Sequence, residues 1–279
     1  MESPARPTRN VRRLCDAIAS LPTRSGATVH GSRPWLPGIV LVCCCCLCVP
    51  AFAATALVAV AASFAPAARQ LGQTWEQQSG HSLKFSIGST GKLYSQIVNG
   101  APYDLFLAAD EQWTERLIQA GLAVEDSRTT CAIGTLVLWS PDARRLTSHG
   151  PDVLRRGEFR RLAIANPKLA PYGRAARETL RALGLWTALQ ARIVQAENVA
   201  QASAMAASGN AELAFIAGSV QAPGGSHWIV PARLHRPIRQ QAVLLNRAAG
   251  NVAARGFLAY LRSDEAKARL VELGYRMAD

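Results

Sequence analysis

From residue 55 to residue 273 short apolar runs alternate with amphipathic stretches, and this alternation constrains the fold more than any other feature. Residues 56–60 have the character of a buried strand, and 66–78 read as a helix. Residues 83–87 and 92–98 repeat the pair, the helix closing at Asn99-Gly100. A third strand at 104–107 leads into a helix at 111–120, which Gly121 stops. Strand followed by helix, three times over, predicts βαβ units and a parallel sheet covered on both faces. Residues 134–139 read as a further strand, broken by Ser140-Pro141-Asp142. A second α/β series follows, with strands at 161–165 and 213–216 and helices at 173–183 and 200–207. A strand at 241–245 and helices at 252–261 and 264–273 complete the chain. The expected architecture is α/β in two lobes: 54–139 with 240–279 form lobe I, and 140–239 form lobe II. Two extended segments then cross between the lobes as a hinge, and the cleft between them is the natural ligand site.

The 279 residues suffice for two modest domains, and 49% hydrophobic with 18% charged residues is ordinary globular composition. The N-terminus is different. Residues 1–35 carry six arginines and two acidic residues, 35–50 are apolar, and Ala51-Phe52-Ala53 is a small-x-small cleavage pattern. That order is the order of a secretory signal peptide, assigned to residues 1–53, and the apolar part is shorter than the roughly 20 residues of a spanning helix. Export places the protein in the periplasm. The net charge is +12 overall, and residues 54–279 hold 25 Lys and Arg against 17 Asp and Glu. The arginines are scattered, without a basic run, so they describe a solvated basic surface and not a nucleic-acid site. Six of the seven cysteines lie in the leader, five of them in its apolar part without a lipobox. Cys131 is left alone, with no disulfide or cysteine metal site open to it, and is expected to be a small buried apolar residue.

Three strand-to-helix junctions share a feature: Ser63, Ser89-Thr90-Gly91, and Asn198-Val199. In a parallel sheet such junctions lie at the carboxyl edge, where ligands bind. Each offers unpaired backbone N–H groups and the positive end of a helix dipole, so together they suit an anion. Each also has a plainer reading, in which Ser63, Ser89 and Thr90 are helix caps. Gly88-Ser89-Thr90-Gly91-Lys92 mimics a phosphate loop, but that motif needs glycine at Ser86 and a hydroxyl at Leu93. Asp104 and Asp110 read as strand-end and helix-cap residues and not as paired catalytic carboxylates. His81, His149, His227 and His235 lack metal-ligand spacing and are expected on loops. No nucleophile elbow is present.

At these residues the chain resembles the periplasmic molybdate-binding proteins of ABC transporters, from about residue 55 to residue 277. Ala61-Ala62-Ser63-Phe64 resembles the first anion-binding turn of that family, and Gly88-Ser89-Thr90-Gly91-Lys92-Leu93 the second. Asn99-Gly100-Ala101-Pro102-Tyr103-Asp104-Leu105-Phe106 and Ala109-Asp110 continue the resemblance, and Gly100 to Phe106 is its most specific part. Ala165-Asn166-Pro167 with Ala170-Pro171-Tyr172-Gly173, and Glu197-Asn198-Val199, resemble the segments that reach the ligand from the second lobe.

The resemblance implies a type II periplasmic binding protein fold and a non-enzymatic role: capture of molybdate or tungstate for the permease of an ABC importer. No cofactor or free metal cation is expected, and the protein is expected as a monomer that binds no nucleic acid. It implies hydroxyl donors at Ser63 and Thr90, with Ser89 a further candidate, and main-chain donors at Ser63, Thr90, Tyr172 and Val199. One departure concerns a tyrosine that some members carry on the strand here reading Phe215-Ile216-Ala217. Either the hydroxyl of Tyr172 replaces it or one hydrogen bond is lost. The rival readings are a binding protein for sulfate or phosphate, a secreted hydrolase with Ser63 or Ser89 as nucleophile, and an effector-sensing domain.

Overall fold

The structure, a computed structural model, describes residues 53–146 and 150–277. The expected signal peptide at 1–53, with its cysteines, and His149 therefore lie outside the described residues, Ala53 apart. Chain order runs β1 (Thr55–Ala61), α1 (Ala65–Ser79), β2 (Ser82–Gly88), α2 (Thr90–Val98), β3 (Leu105–Ala108), α3 (Glu111–Gln119) and β4 (Thr129–Gly134). It continues through β5 (Leu136–Ser140), α4 (Gly150–Arg156), β6 (Leu162–Ala165), α5 (Pro171–Ala182), α6 (Trp186–Leu189), β7 (Ile193–Ala196), α7 (Val199–Ala207), β8 (Leu213–Ala217) and β9 (Ser226–Ile229). β10 (Ile238–Leu244), α8 (Val252–Tyr260) and α9 (Asp264–Glu272) close the chain.

Two five-stranded sheets result, ordered β2-β1-β3-β10-β4 and β7-β6-β8-β5-β9. Each has a core of three parallel strands, β2-β1-β3 in the first and β7-β6-β8 in the second. The sheets are mixed and not wholly parallel as expected. β10 runs antiparallel beside β3 and β4, and β5 runs antiparallel beside β8 and β9. The reason is the crossing itself: a strand that arrives from the other lobe pairs without a crossover helix, which only a parallel neighbour requires. The sheet change falls at Thr135, so the expected single strand 134–139 is two strands in different sheets. The chain returns between β9 and β10, and these two crossings make the two-segment hinge of a type II binding fold.

Burial follows the pattern of strands covered on both faces. β3, β5, β6 and β8 are buried at every position, and β1 at five of seven. The first sheet has an apolar core on each side: Leu71, Trp75, Phe257 and Leu270 with β1, β3 and β10 on one, Leu93, Ile97, Phe106 and Leu117 on the other. The second sheet packs around Trp139, Phe159, Ile164, Leu180 and Phe215. Cys131 is buried in the first core, and burial pushes its thiol up to about 12, so it behaves as an inert apolar residue. His81 and His235 lie outside the strands and α-helices, whereas His227 sits on β9 and not on a loop. No group of acidic, histidine or cysteine side chains among the described residues could hold a metal ion.

Candidate functional site

The carboxyl edges of the parallel strands face one another across the cleft. Ser63 follows β1, Ser89 and Thr90 follow β2, and Ala109 follows β3; from the other sheet, Ala170 to Tyr172 follow β6, and Asn198 with Val199 follow β7. These residues, with Ala61, Ala62 and Gly88, line a single cavity. Its volume is about 10 Å³, the room of about one water molecule and far less than an organic substrate needs. All five residues singled out from the sequence lie on this cavity. No Asp, Glu, His, Lys or Arg lines it.

Why the junctions are donors is visible in how the helices begin. α3, α8 and α9 are capped by their own side chains: Asp110 accepts from Trp113, Asn251 from Ala253 and Ala254, and Ser263 from Ala266. Those caps satisfy N–H groups that a helix leaves without partners. α1, α2 and α5, which point their N-termini at the cavity, have no side-chain cap. The capping reading of the serines therefore fails. Ser63 precedes the cap position, which Phe64 occupies; Ser89 does occupy one, but its hydroxyl caps nothing. Both hydroxyl oxygens are buried and without a hydrogen-bond partner among the described residues. Asn198 caps α7 through Gln201 N–H, which leaves the first N–H, that of Val199, free of it. The backbone N–H groups of Ser63, Thr90, Tyr172 and Val199 donate to no acceptor among the described residues.

The hydroxyl of Thr90 accepts from Ala109 N–H at 3.3 Å, so its own proton is free to point elsewhere. The carbonyl of Ser63 is held twice, by Tyr275 Oη–H and by Ser219 Oγ–H, each at 2.7 Å. Ser219 follows β8, so the second of these bonds crosses between the lobes. Sequence reasoning missed both residues, which only the folded chain brings to Ser63. Burial holds the Tyr275 hydroxyl well above the ordinary tyrosine range, so it remains a proton donor.

Other contacts close the cleft around the cavity. Gly91 N–H donates to Leu169 O at 2.8 Å, and a Cβ on Gly91 would stand 3.0 Å from that backbone, so close approach accounts for the glycine. Lys92 pairs with Glu197 at 2.9 Å. Arg174 Nη2 lies 2.9 Å from Asp110 Oδ2, an ion pair rather than an aligned hydrogen bond. Burial pushes the Asp110 carboxyl up, and Arg174 only partly offsets it. Asp104 is structural: it accepts from Leu57 N–H at 2.7 Å and pairs with Arg247 at 2.9 Å.

The tyrosine question is answered by packing. Tyr172 Oη has Gln240 Nε2 at 3.5 Å and occupies the space beside Gly134, whose added Cβ would stand 2.0 Å away. Gly134 and Gln240 belong to the hinge strands and do not line the cavity. The hydroxyl thus packs against the hinge strands, while the backbone N–H of Tyr172 has no acceptor among the described residues. Ala217, fully buried at the end of β8, does not line the cavity either.

Residues 56–276 match the family described as bacterial extracellular solute-binding protein. The chain belongs to that family. The molybdate-binding protein of Azotobacter vinelandii is 43% identical over 228 residues, 80% of this chain and 90% of that protein. The one from Rhodobacter capsulatus is 38% identical over 229 residues, with 81% and 90% covered. A solved structure of the periplasmic molybdate-binding protein of A. vinelandii superposes with a TM-score of 0.77 at 40% identity, covering 80% of this chain and 100% of that one. For a solute-binding protein, a cleft lined by donors from both lobes is the working part of the molecule. A hydrolase built on Ser63 or Ser89 would need a base, and the cavity lining supplies no histidine, lysine or carboxylate.

Proposed function

We infer that this protein captures molybdate, or tungstate, in the periplasm and delivers it to the permease of an ABC importer. The observation that carries this reading is the set of helix N-termini, left uncapped on the cavity side, that meet from both sheets around a cavity without a charged side chain. Six donors are available there: N–H groups of Ser63, Thr90, Tyr172 and Val199, and hydroxyls of Ser63 and Thr90. Ser89 Oγ–H can add a seventh.

Uncharged donors suit a small dianion. A buried lysine or arginine partner would add its own desolvation, which can cancel the attraction. Oriented N–H and O–H dipoles avoid that and impose tetrahedral geometry. Each such bond to an ion contributes about 1.5–3 kcal/mol, so six give about 9–18 kcal/mol gross. After ordering and desolvation that corresponds to binding on the order of micromolar to nanomolar. Both lobes reach the ion only in the closed form, so the ion stabilises closure, the state recognised by the permease. Selection against sulfate and phosphate then rests on the radius at which the lobes meet. Similarity to two molybdate-binding relatives supports the larger ion.

Thermal unfolding with molybdate, tungstate, sulfate and phosphate tests the reading. At a hundredfold excess over Kd, a ligand that binds only the folded protein adds about 2.7 kcal/mol, or about 5–10 °C in Tm for a chain of this size. That shift is expected with molybdate and tungstate and not with the other two. Equal shifts with sulfate would reassign the ligand, and no shift with any of them would refute the reading.

A further inference from the structure

Beside the anion cage lies a second cavity of about 310 Å³, bounded by Trp113 and Arg116 of α3, by the 167–171 segment after β6, and by Arg174 and Arg177 of α5. Ala170 and Pro171 line both cavities, so the larger one adjoins the cage. Its lining contains four cations, Arg116, Lys168, Arg174 and Arg177, and no carboxylate. Arg174 is committed to Asp110, Gln112 and Glu178. The other three have no ion pair among the described residues. The Nε of Arg177 is buried and has no acceptor among the described residues. A buried guanidinium donor without a partner calls for an explanation, and an anion supplies one.

We propose that this cavity is a second, looser anion site, where a hydrated small oxyanion is collected before it moves over Pro171 into the cage. The proposal rests on the oxyanion-binding reading above. Its logic complements that of the cage. A site that must select and hold uses neutral dipoles in a dry space, whereas a site that must attract uses exposed charge and leaves the ion its water. Concave walls of one sign raise the local concentration of the opposite ion and its rate of capture. Arg116 is kept over the Trp113 ring, 4.9 Å from its centroid, which restrains the guanidinium without neutralising it. Lys168 is exposed, so it can meet the ion while still hydrated.

Stopped-flow association of molybdate with wild type and with the triple variant Arg116→Gln, Lys168→Gln, Arg177→Gln tests this. A control variant, Lys84→Gln, Arg233→Gln, Arg255→Gln, loses the same charge from exposed positions outside this cavity. The first variant is expected to associate about tenfold more slowly at low ionic strength, to show a flatter dependence on salt, and to keep the wild-type dissociation rate. The control is expected to keep most of the wild-type association rate. Equal slowing in both variants would assign the effect to net charge and overturn the second site, as would an unchanged rate in the first. A slowing independent of salt would overturn it too, by pointing to altered structure. If the wild type binds no molybdate at all, it is the functional reading that fails.

Discussion

Ser63 shows how one residue could serve the proposed anion cage without carrying a charge. Its N–H and hydroxyl have no partner among the described residues, while its carbonyl is fixed by Tyr275 and Ser219. The turn is therefore rigid on the side that the cavity does not use. Thr90 adds a hydroxyl whose acceptor role is already filled by Ala109 N–H. Ser63→Ala with Thr90→Ala is expected to weaken molybdate binding by about 2–5 kcal/mol in calorimetric titration, and an unchanged affinity would remove both hydroxyls from the site. Asp110 gives a prediction of opposite sign. Its carboxyl titrates above the ordinary value of 3.8 because burial outweighs Arg174, so its charge costs stability at pH values above its folded pKa. Asp110→Asn keeps a good helix cap and removes that cost. The variant should melt at or above wild type near pH 7, with the difference shrinking as pH falls through the folded pKa toward about 4, where the wild-type group is also neutral. A variant less stable at neutral pH, regaining wild-type stability in acid, would show that the pair with Arg174 outweighs burial.

Between the lobes the elements meet at Tyr172 and the hinge. The residue presents its backbone to the cage from the first turn of α5 and its ring to Gly134 at the end of β4 and Gln240 on β10. Gly134→Ala places a Cβ 2.0 Å from Tyr172 Oη, an overpacking worth about 1–3 kcal/mol. Molybdate binding should weaken about tenfold or more, and adding Tyr172→Phe, which removes the clashing oxygen, should restore most of it. No restoration in the double variant would mean that the hydroxyl does not set the fit. This device was not legible in the sequence, because nothing in Gly134 or Tyr172 alone announces the other. The longer helices were legible, since their apolar spacing and their Pro, Gly and Asn boundaries are local properties, whereas the short α4 and α6 were not. The division at Thr135 was not: between the apolar residues 131–133 and 136–139 only Gly134 and Thr135 intervene, and nothing local marks the change of sheet. β7 escaped notice because it is short and half-exposed, and antiparallel direction leaves no mark on composition. The junction residues were readable as donors or as caps, and only the positions of the cap residues, Phe64 and Ser89, separate the two readings.

The whole molecule divides its tasks by charge. Cationic side chains line the adjoining cavity and the surface, and the cavity between the sheets has none. Lobe closure is held by contacts made with protein atoms alone: Gly91 to Leu169, Ser219 to Ser63, Lys92 to Glu197 and Asp110 to Arg174. Exposed pairs such as Lys92 with Glu197 contribute little, about 0–1 kcal/mol, so the ion itself must supply much of the closing free energy. The proposed function thus rests on one geometric claim, the convergence of uncharged hydrogens from both lobes on one dianion. A crystal structure with tungstate, located by its anomalous scattering, measures it directly. The ion is expected between the sheets, with oxygens about 2.7–3.2 Å from the N–H groups of Ser63, Thr90, Tyr172 and Val199 and from the hydroxyls of Ser63 and Thr90. A tungstate bound elsewhere, or one gripped in that cavity by an arginine or lysine side chain, would contradict it.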